Sequence, residues 1–216
     1  MKTGMFINWG ISPKGEWRQS IEKIPVEDYT LYFLDFDPND YNPAAWAKEA
    51  KDAGVEYAVM TAKTHDGFCL FNSLFTDYKS TSTPAKGDLI QEYVEAFRAE
   101  GIKIGLYYSL LDWHHPDYPA YGDKYHPMRD NEDYEDWAQH QDFNKYLKYI
   151  RNQVEELCTC YGKIDLFWFG FCYDDMTAEK FQTGELASIV KRYHPKAQID
   201  LNIKPDENQI TIKNRV

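Results

Sequence analysis

Polar and aromatic residues recur in this sequence directly after short apolar runs that predict strands. They are Asn8 and Trp9; Thr64, His65 and Asp66; Tyr107, Tyr108 and Ser109; Trp168 with Gly170; and Asn214 with Arg215. The carboxyl ends of parallel strands meet at one edge of a sheet, where ligands of α/β proteins bind. A pocket of Trp, Tyr, His, Asn and Arg suits a neutral, hydroxyl-rich ligand with an apolar face, which describes a sugar.

Several of these residues also have a purely structural interpretation. His65 is either a ligand contact or a turn histidine bonded to Asp66. Trp9 and Trp168 are either pocket walls or core residues, since most buried tryptophans only pack. Arg215, the second-to-last residue of the sequence, is either a ligand contact or a solvated charge.

A metal site is not predicted. His114 and His115 are adjacent, so their side chains point apart, and no carboxylate or cysteine recurs near them at ligand spacing. Cys158 and Cys160 lack the two-residue spacer of a zinc knuckle. We interpret all four cysteines as free thiols.

Strand and helix patterns alternate along the chain. Apolar runs predict strands at 4–10, 55–61, 102–109, 164–170 and 197–201, with a last short run before Asn214, and helical spacing predicts helices at 43–53, 88–100, 134–161 and 178–193. Such alternation is typical of an α/β fold with a parallel sheet. Because no Gly-x-Gly-x-x-Gly motif follows any strand, we predict a (β/α) TIM-like barrel, incomplete or reduced to five or six βα units, as one domain over 1–216. The long loop at 111–133 is predicted to be functional.

The composition excludes some partners. Lys and Arg number 24 against 35 Asp and Glu, a net charge of −11, which repels nucleic acid and acidic membranes. The first residues do not have the pattern of a signal peptide, and no apolar run has the length of a membrane span. As the sequence stands, we expect a soluble, cytoplasmic protein.

Four segments resemble the α-L-fucosidases of glycoside hydrolase family 29. They are GMFINWG at 4–10 with Gly15-Glu16-Trp17, TAKTHDGF at 61–68, GLYYSL at 105–110 and DLFWFG at 165–170, and Asn214-Arg215 is similar to the segment with a sugar-contacting arginine. The resemblance runs in order over nearly the whole chain. It implies a catalytic barrel, retaining exo-hydrolysis of terminal α-L-fucose, a fucosylated glycan or small fucoside as partner, and no metal or organic cofactor.

The resemblance also implies which residues form the site, and this chain differs from the family at several of these positions. It implies Gly170 at the position of the nucleophile, and substrate contacts from Asn8, Glu16, Thr64, His65, Tyr107, Trp168 and Arg215. The family has histidine where this chain has Asn8, two histidines where it has Thr64-His65, and an aspartate nucleophile at Gly170; its acid/base glutamate would fall beyond Val216. Because the retaining mechanism needs two carboxyl groups about 5 Å apart, we predict impaired catalysis.

Three functions therefore remain open. The chain is a fucosidase relative with impaired hydrolysis, a non-catalytic fucose- or glycan-binding relative, or a structural or designed barrel fragment without a ligand. Asp174 or Asp175 would replace the nucleophile only if the loop after the fourth strand folded back. An incomplete barrel also predicts open strand edges at 4–8 and 210–213, and with them self-association.

Overall fold

A computed structural model describes residues 3–12, 17–170, 176–201 and, for the backbone alone, 209–213. The predicted contacts Glu16 and Arg215, and the acidic pair Asp174 and Asp175, lie outside these residues. In the described part of the chain, no helix has the length and apolar character needed to cross a bilayer.

Six described strands form one parallel sheet. They are β1 Gly4–Asn8, β2 Tyr57–Lys63, β3 Lys103–Ser109, β4 Leu166–Gly170, β5 Gln198–Asp200 and β6 Gln209–Lys213. Their order is β5-β4-β3-β2-β1-β6, and each neighbouring pair is parallel. The prediction of an incomplete (β/α) barrel is confirmed. The prediction of an open edge at 4–8 is wrong, because β1 pairs with both β2 and β6.

Helices connect the strands, and side-chain caps mark where two of them begin. They are α1 Arg18–Ile21, α2 Val26–Thr30, α3 Pro43–Asp52, α4 Leu89–Ala99, α5 Glu135–Ala138, α6 Phe143–Cys160 and α7 Thr183–Tyr193. The Asn42 side chain accepts a hydrogen bond from the amide of Ala45 (3.1 Å), and that of Asp88 accepts one from the amide of Gln91 (3.0 Å). These contacts satisfy amides that a helix leaves unpaired at its start.

Two predicted helices are shorter in the structure. The helix expected at 134–161 is broken because the Asp142 side chain caps a new helix, accepting from the amide of Asn144 (3.0 Å), while its own amide donates to Asp117 (3.0 Å). The helix expected from residue 178 begins at Thr183, after Gln182 at a φ of 52°. A positive φ at a non-glycine residue is incompatible with a continuing helix.

The two faces of the sheet have different neighbours. On the outer face, Met60, Leu106 and Phe167 belong to the large core that includes buried residues of the helices. On the inner face, Val59, Tyr107 and Trp168 form a separate small cluster. Side chains alternate between faces along a strand, so the predicted ligand contacts Tyr107 and Trp168 share the inner, concave face.

Candidate functional site

Asp66 organises the turn that follows β2. Its carboxylate accepts hydrogen bonds from the hydroxyl of Thr64, from the amide of Phe68 (3.0 Å) and from the phenol of Tyr29 (3.2 Å). Burial, reinforced by Asp66, raises the pKa of Tyr29, so the phenol stays protonated and donates. The predicted contact Thr64 therefore directs its hydroxyl proton to its own turn.

His65 lies in a group of aromatic rings at the same edge of the sheet. Its ring stacks on Trp17 at a centroid distance of 4.6 Å and meets Trp113 edge-on at 4.6 Å. Tyr125 contacts Trp17 edge-on at 5.3 Å. The amide of Trp113 donates to the carbonyl of His65 (2.9 Å). We call Trp17, His65, Trp113 and Tyr125 the His65 cluster; Tyr125 gave no signal in the sequence beyond its place in an aromatic loop.

The inner face of β1 to β4 forms a floor beside this cluster. The Thr61 hydroxyl donates to the side-chain oxygen of Asn8 (3.3 Å). Phe6 stacks on Trp168 and contacts Tyr107 edge-on, each at 5.8 Å. Tyr107 and Trp168 are each 8% exposed, so only a small part of each side chain is open at this floor.

Tyr107 occupies the space next to Gly170. A Cβ atom placed on Gly170 would lie 2.1 Å from the Tyr107 hydroxyl oxygen and 2.4 Å from two of its ring carbons. Tyr107 is paired with Trp168 and Ser109 with Gly170, so the Tyr107 ring reaches two residues along the neighbouring strand. Any side chain at position 170 requires this ring to move.

The structure thus brings most of the predicted site residues to one edge. Asn8, Thr64, His65, Tyr107, Trp168 and Gly170 lie at or near the carboxyl ends of the four adjacent strands β1 to β4. Trp9 packs instead against Tyr41 and Trp46, with ring centroids 5.5 and 5.4 Å away, as its core interpretation predicts.

Asp123 holds the long loop after β3, and sequence reasoning did not identify it. Its carboxylate, 1% exposed, accepts from the indole N–H of Trp113 (3.0 Å), the phenol of Tyr118 (2.8 Å) and the amide of Tyr125 (2.8 Å). Two of these donors belong to the His65 cluster. A single acidic residue in an aromatic loop does not form a recognisable motif. Only its burial in the structure shows that Asp123 anchors the loop.

We expect Asp123→Asn to destabilise the protein by about 2 kcal/mol, since one oxygen that accepts from Trp113 and Tyr118 becomes a donor or turns away. Urea unfolding followed by fluorescence measures this change. Asp133→Asn, in an exposed turn, is the matched control and should change stability by less than about 0.5 kcal/mol. An equal, small effect of both substitutions would contradict the role of Asp123.

The family profile described as Alpha-L-fucosidase matches residues 1–212. The chain belongs to the α-L-fucosidase family. Its sequence is 56% identical to α-L-fucosidase isoenzyme 1 from Paenibacillus thiaminolyticus, with a TM-score of 0.89 over 95% of this chain and 49% of that one. It is 30% identical to α-L-fucosidase 1 of Arabidopsis thaliana over 79% of this chain and 30% of that protein.

A third relative is a D-to-A variant of the α-L-fucosidase AlfC from Lactobacillus casei, in complex with Fuca(1,6)GlcNAc. It is 28% identical, with a TM-score of 0.79 over 91% of this chain and 67% of that one. The resemblance to glycoside hydrolase family 29 is confirmed. The chain spans about a third of the curated Arabidopsis relative and half of the Paenibacillus enzyme.

Burial favours the neutral form of three histidines and one cysteine near this edge of the sheet. Burial lowers the pKa of His114 and His115 and raises the pKa of the Cys69 thiol to about 12, which leaves Cys69 protonated and weakly nucleophilic at neutral pH. Burial also lowers the pKa of His126 to about 4, and its Nδ1 accepts from the amide of Met128 (3.1 Å). Among the residues described, no group of three or more acidic, His or Cys side chains is placed to hold a metal ion.

Proposed function

We propose that this α-L-fucosidase-family scaffold recognises a terminal α-L-fucosyl residue and does not hydrolyse it by the two-carboxylate route. The observation that carries the proposal is Gly170, which ends β4 without a side chain and whose Cβ space is taken by Tyr107. Covalent catalysis replaces one difficult displacement by two easier ones, and it requires a nucleophile on the protein.

Recognition is supported by the side chains that remain at the strand ends. The rings of Trp168 and Tyr107 offer apolar surface to the C–H face of a sugar. The Asn8 side-chain N–H groups can donate to sugar hydroxyls. The hydroxyls of Thr64 and Thr61 donate their protons to Asp66 and Asn8, so they can serve a sugar only as acceptors. The AlfC variant with an aspartate replaced by alanine, solved with Fuca(1,6)GlcNAc, supports the idea that a relative with a lost carboxylate retains glycan binding.

Two measurements test the proposal on the unaltered protein. With 4-nitrophenyl α-L-fucoside we expect nitrophenol release at the rate of the buffer alone. With millimolar L-fucose we expect binding heat and a raised Tm, since a ligand that binds only the folded state stabilises it. D-Fucose, the mirror image, is the matched ligand control and should give neither signal.

The two parts of the proposal fail separately. Turnover well above the buffer rate would overturn the loss of hydrolysis and leave recognition standing. Absence of both heat and thermal stabilisation with L-fucose would overturn recognition, and would favour a barrel without a ligand.

A further inference from the structure

We propose that Tyr125 binds the second sugar of a fucosylated glycan, the neutral pyranose ring to which the terminal fucose is joined. This inference rests on the proposed recognition of fucose. It deepens that proposal because it assigns the neighbouring sugar to one ring of the loop after β3, at 111–133, which the sequence predicts to be functional.

The first step is the position of Tyr125 relative to the strand ends. Tyr125 contacts Trp17 edge-on at 5.3 Å, with the two ring planes at 67°, and Trp17 stacks on His65 at 4.6 Å. His65 follows β2 at the carboxyl edge of the sheet. Tyr125 therefore lies one ring further from His65 than Trp17 does.

The second step is the exposure of the rings in the His65 cluster. His65 and Trp113 are 2% and 0% exposed, whereas Trp17 is half-buried and Tyr125 is 38% exposed. The accessible aromatic surface of the cluster is therefore that of Trp17 and Tyr125, whose rings meet at an angle. Aromatic surface suits the C–H face of a pyranose, and a pair of such rings can contact two successive sugars.

The third step is the anchoring of Tyr125. Its amide donates to the buried carboxylate of Asp123 (2.8 Å). The next residue, His126, is 0% exposed, and its Nδ1 accepts from the amide of Met128 (3.1 Å). The backbone is thus held on both sides of Tyr125, and a ring that is fixed before binding loses less conformational entropy when a sugar packs against it.

The loop after Tyr125 also docks on the segment that contains α1. The Arg129 guanidinium donates to the carbonyl of Ser20 (3.4 Å), and Lys23 pairs with Asp130 at 2.6 Å. The angle between the two accessible rings is therefore supported by contacts beyond the rings themselves.

Lys124 adds hydrogen-bond donors beside the Tyr125 ring. Its ammonium group lies 5.0 Å from the ring centroid, and an ammonium carries only N–H donors. The hydroxyl oxygens of a neutral hexopyranose accept such bonds, while its C–H face packs on the exposed part of the ring. Lys124 and Tyr125 together therefore fit a sugar that offers both kinds of surface.

The experiment compares methyl α-L-fucoside with a set of disaccharides in which α-L-fucose is joined to each hydroxyl of a neutral hexopyranose in turn. By calorimetry, we expect the unaltered protein to bind at least one disaccharide at least fivefold more tightly than methyl α-L-fucoside. Tyr125→Ala should lose this preference, while its Kd for methyl α-L-fucoside changes less than twofold. Tyr125→Phe retains the ring and should keep the preference.

Tyr193→Ala is the matched control. Tyr193 is 39% exposed at the end of α7, and its phenol donates to Glu155. Because α7 leads into β5, its end lies at the amino edge of the sheet, away from the His65 cluster. This substitution removes an equally exposed ring and should leave both Kd values unchanged.

Each result has a distinct meaning. If no disaccharide binds more tightly than methyl α-L-fucoside, or if Tyr125→Ala weakens both ligands by the same factor, this inference is overturned and fucose recognition stands. An equal loss of the preference in Tyr193→Ala would also overturn it. If neither ligand binds the unaltered protein, the proposed recognition is refuted, and this inference with it.

Discussion

Lys63→Met is expected to destabilise the protein by about 3–5 kcal/mol, because it leaves the carboxylate of Asp112 buried without its positive partner. The Lys63 ammonium lies 3.3 Å from Asp112, donates to the carbonyl of Leu111 (2.7 Å) and sits 5.0 Å above the ring of Tyr108. Both charged side chains are removed from water, so neither can be rehydrated without opening the fold. Urea denaturation measures the loss.

The paired variant Lys63→Met with Asp112→Asn is the control for this prediction. The second substitution removes the unpaired charge and keeps a side-chain oxygen that can accept from the amide of His115, as the Asp112 carboxylate does at 2.9 Å. We expect the paired variant to recover more than half of the stability lost by Lys63→Met alone. If Lys63→Met costs less than about 1 kcal/mol, the pair is hydrated in solution and the prediction is wrong.

This pair also explains how two strand-end loops are held together. Lys63 ends β2, whereas Asp112 follows β3, and the amide of the next residue, Trp113, donates to the carbonyl of His65. Gly67 completes the fit: at a φ of 89°, its Cβ would lie 2.3 Å from an oxygen of Asp112. The His65 cluster therefore depends on a buried charge that does not itself face the pocket.

The second prediction concerns the chemistry of position 170. We expect Gly170→Asp alone to remain unlabelled by 2-fluoro-α-L-fucosyl fluoride, whereas Gly170→Asp with Tyr107→Val gains the mass of one 2-fluorofucosyl group. In the labelling step, a carboxylate oxygen forms a bond to C1 of the sugar while the C1–F bond breaks and fluoride leaves with its electron pair. Because fluoride needs no protonation to leave, the readout does not depend on a general acid.

A steric conflict with Tyr107 distinguishes Gly170→Asp from Gly170→Asp with Tyr107→Val. With Tyr107 in place, its ring occupies the start of any side chain at position 170, so an aspartate is deflected or the ring is forced out of the floor at a cost of about 1–3 kcal/mol. Intact-protein mass spectrometry reads both variants. Gly170→Asn with Tyr107→Val, which has the shape of aspartate without its nucleophilic charge, should stay unlabelled.

Two results would contradict this account. Labelling of the single variant Gly170→Asp would mean that the Tyr107 ring moves away from position 170 at little cost. Absence of labelling in a paired variant that still binds L-fucose would mean that position 170 does not face C1 of the sugar.

Local signals in the sequence predicted much of the fold. Branched and aromatic runs predicted the strands, and helical spacing predicted the helices at 43–53 and 88–100, because these patterns act over a few neighbouring residues. The four motifs at 4–10, 61–68, 105–110 and 165–170 led to the family, which the profile match over 1–212 confirms. They also placed Asn8, Thr64, His65, Tyr107, Trp168 and Gly170 at one edge, where the structure has them.

The sequence by itself determined the order of strands and helices, the family and the absence of a carboxylate at Gly170, since each is a property of residue type and short-range pattern. Only the tertiary structure showed that Tyr107 occupies the space beside Gly170. It also showed that Asp123 anchors the loop after β3 and that Lys63 pairs with Asp112. Tyr107 reaches Gly170 across 63 positions of sequence and Lys63 reaches Asp112 across 49. Such contacts depend on the register between strands and on how side chains from distant segments pack together. The spacing of residues within one segment determines neither of these.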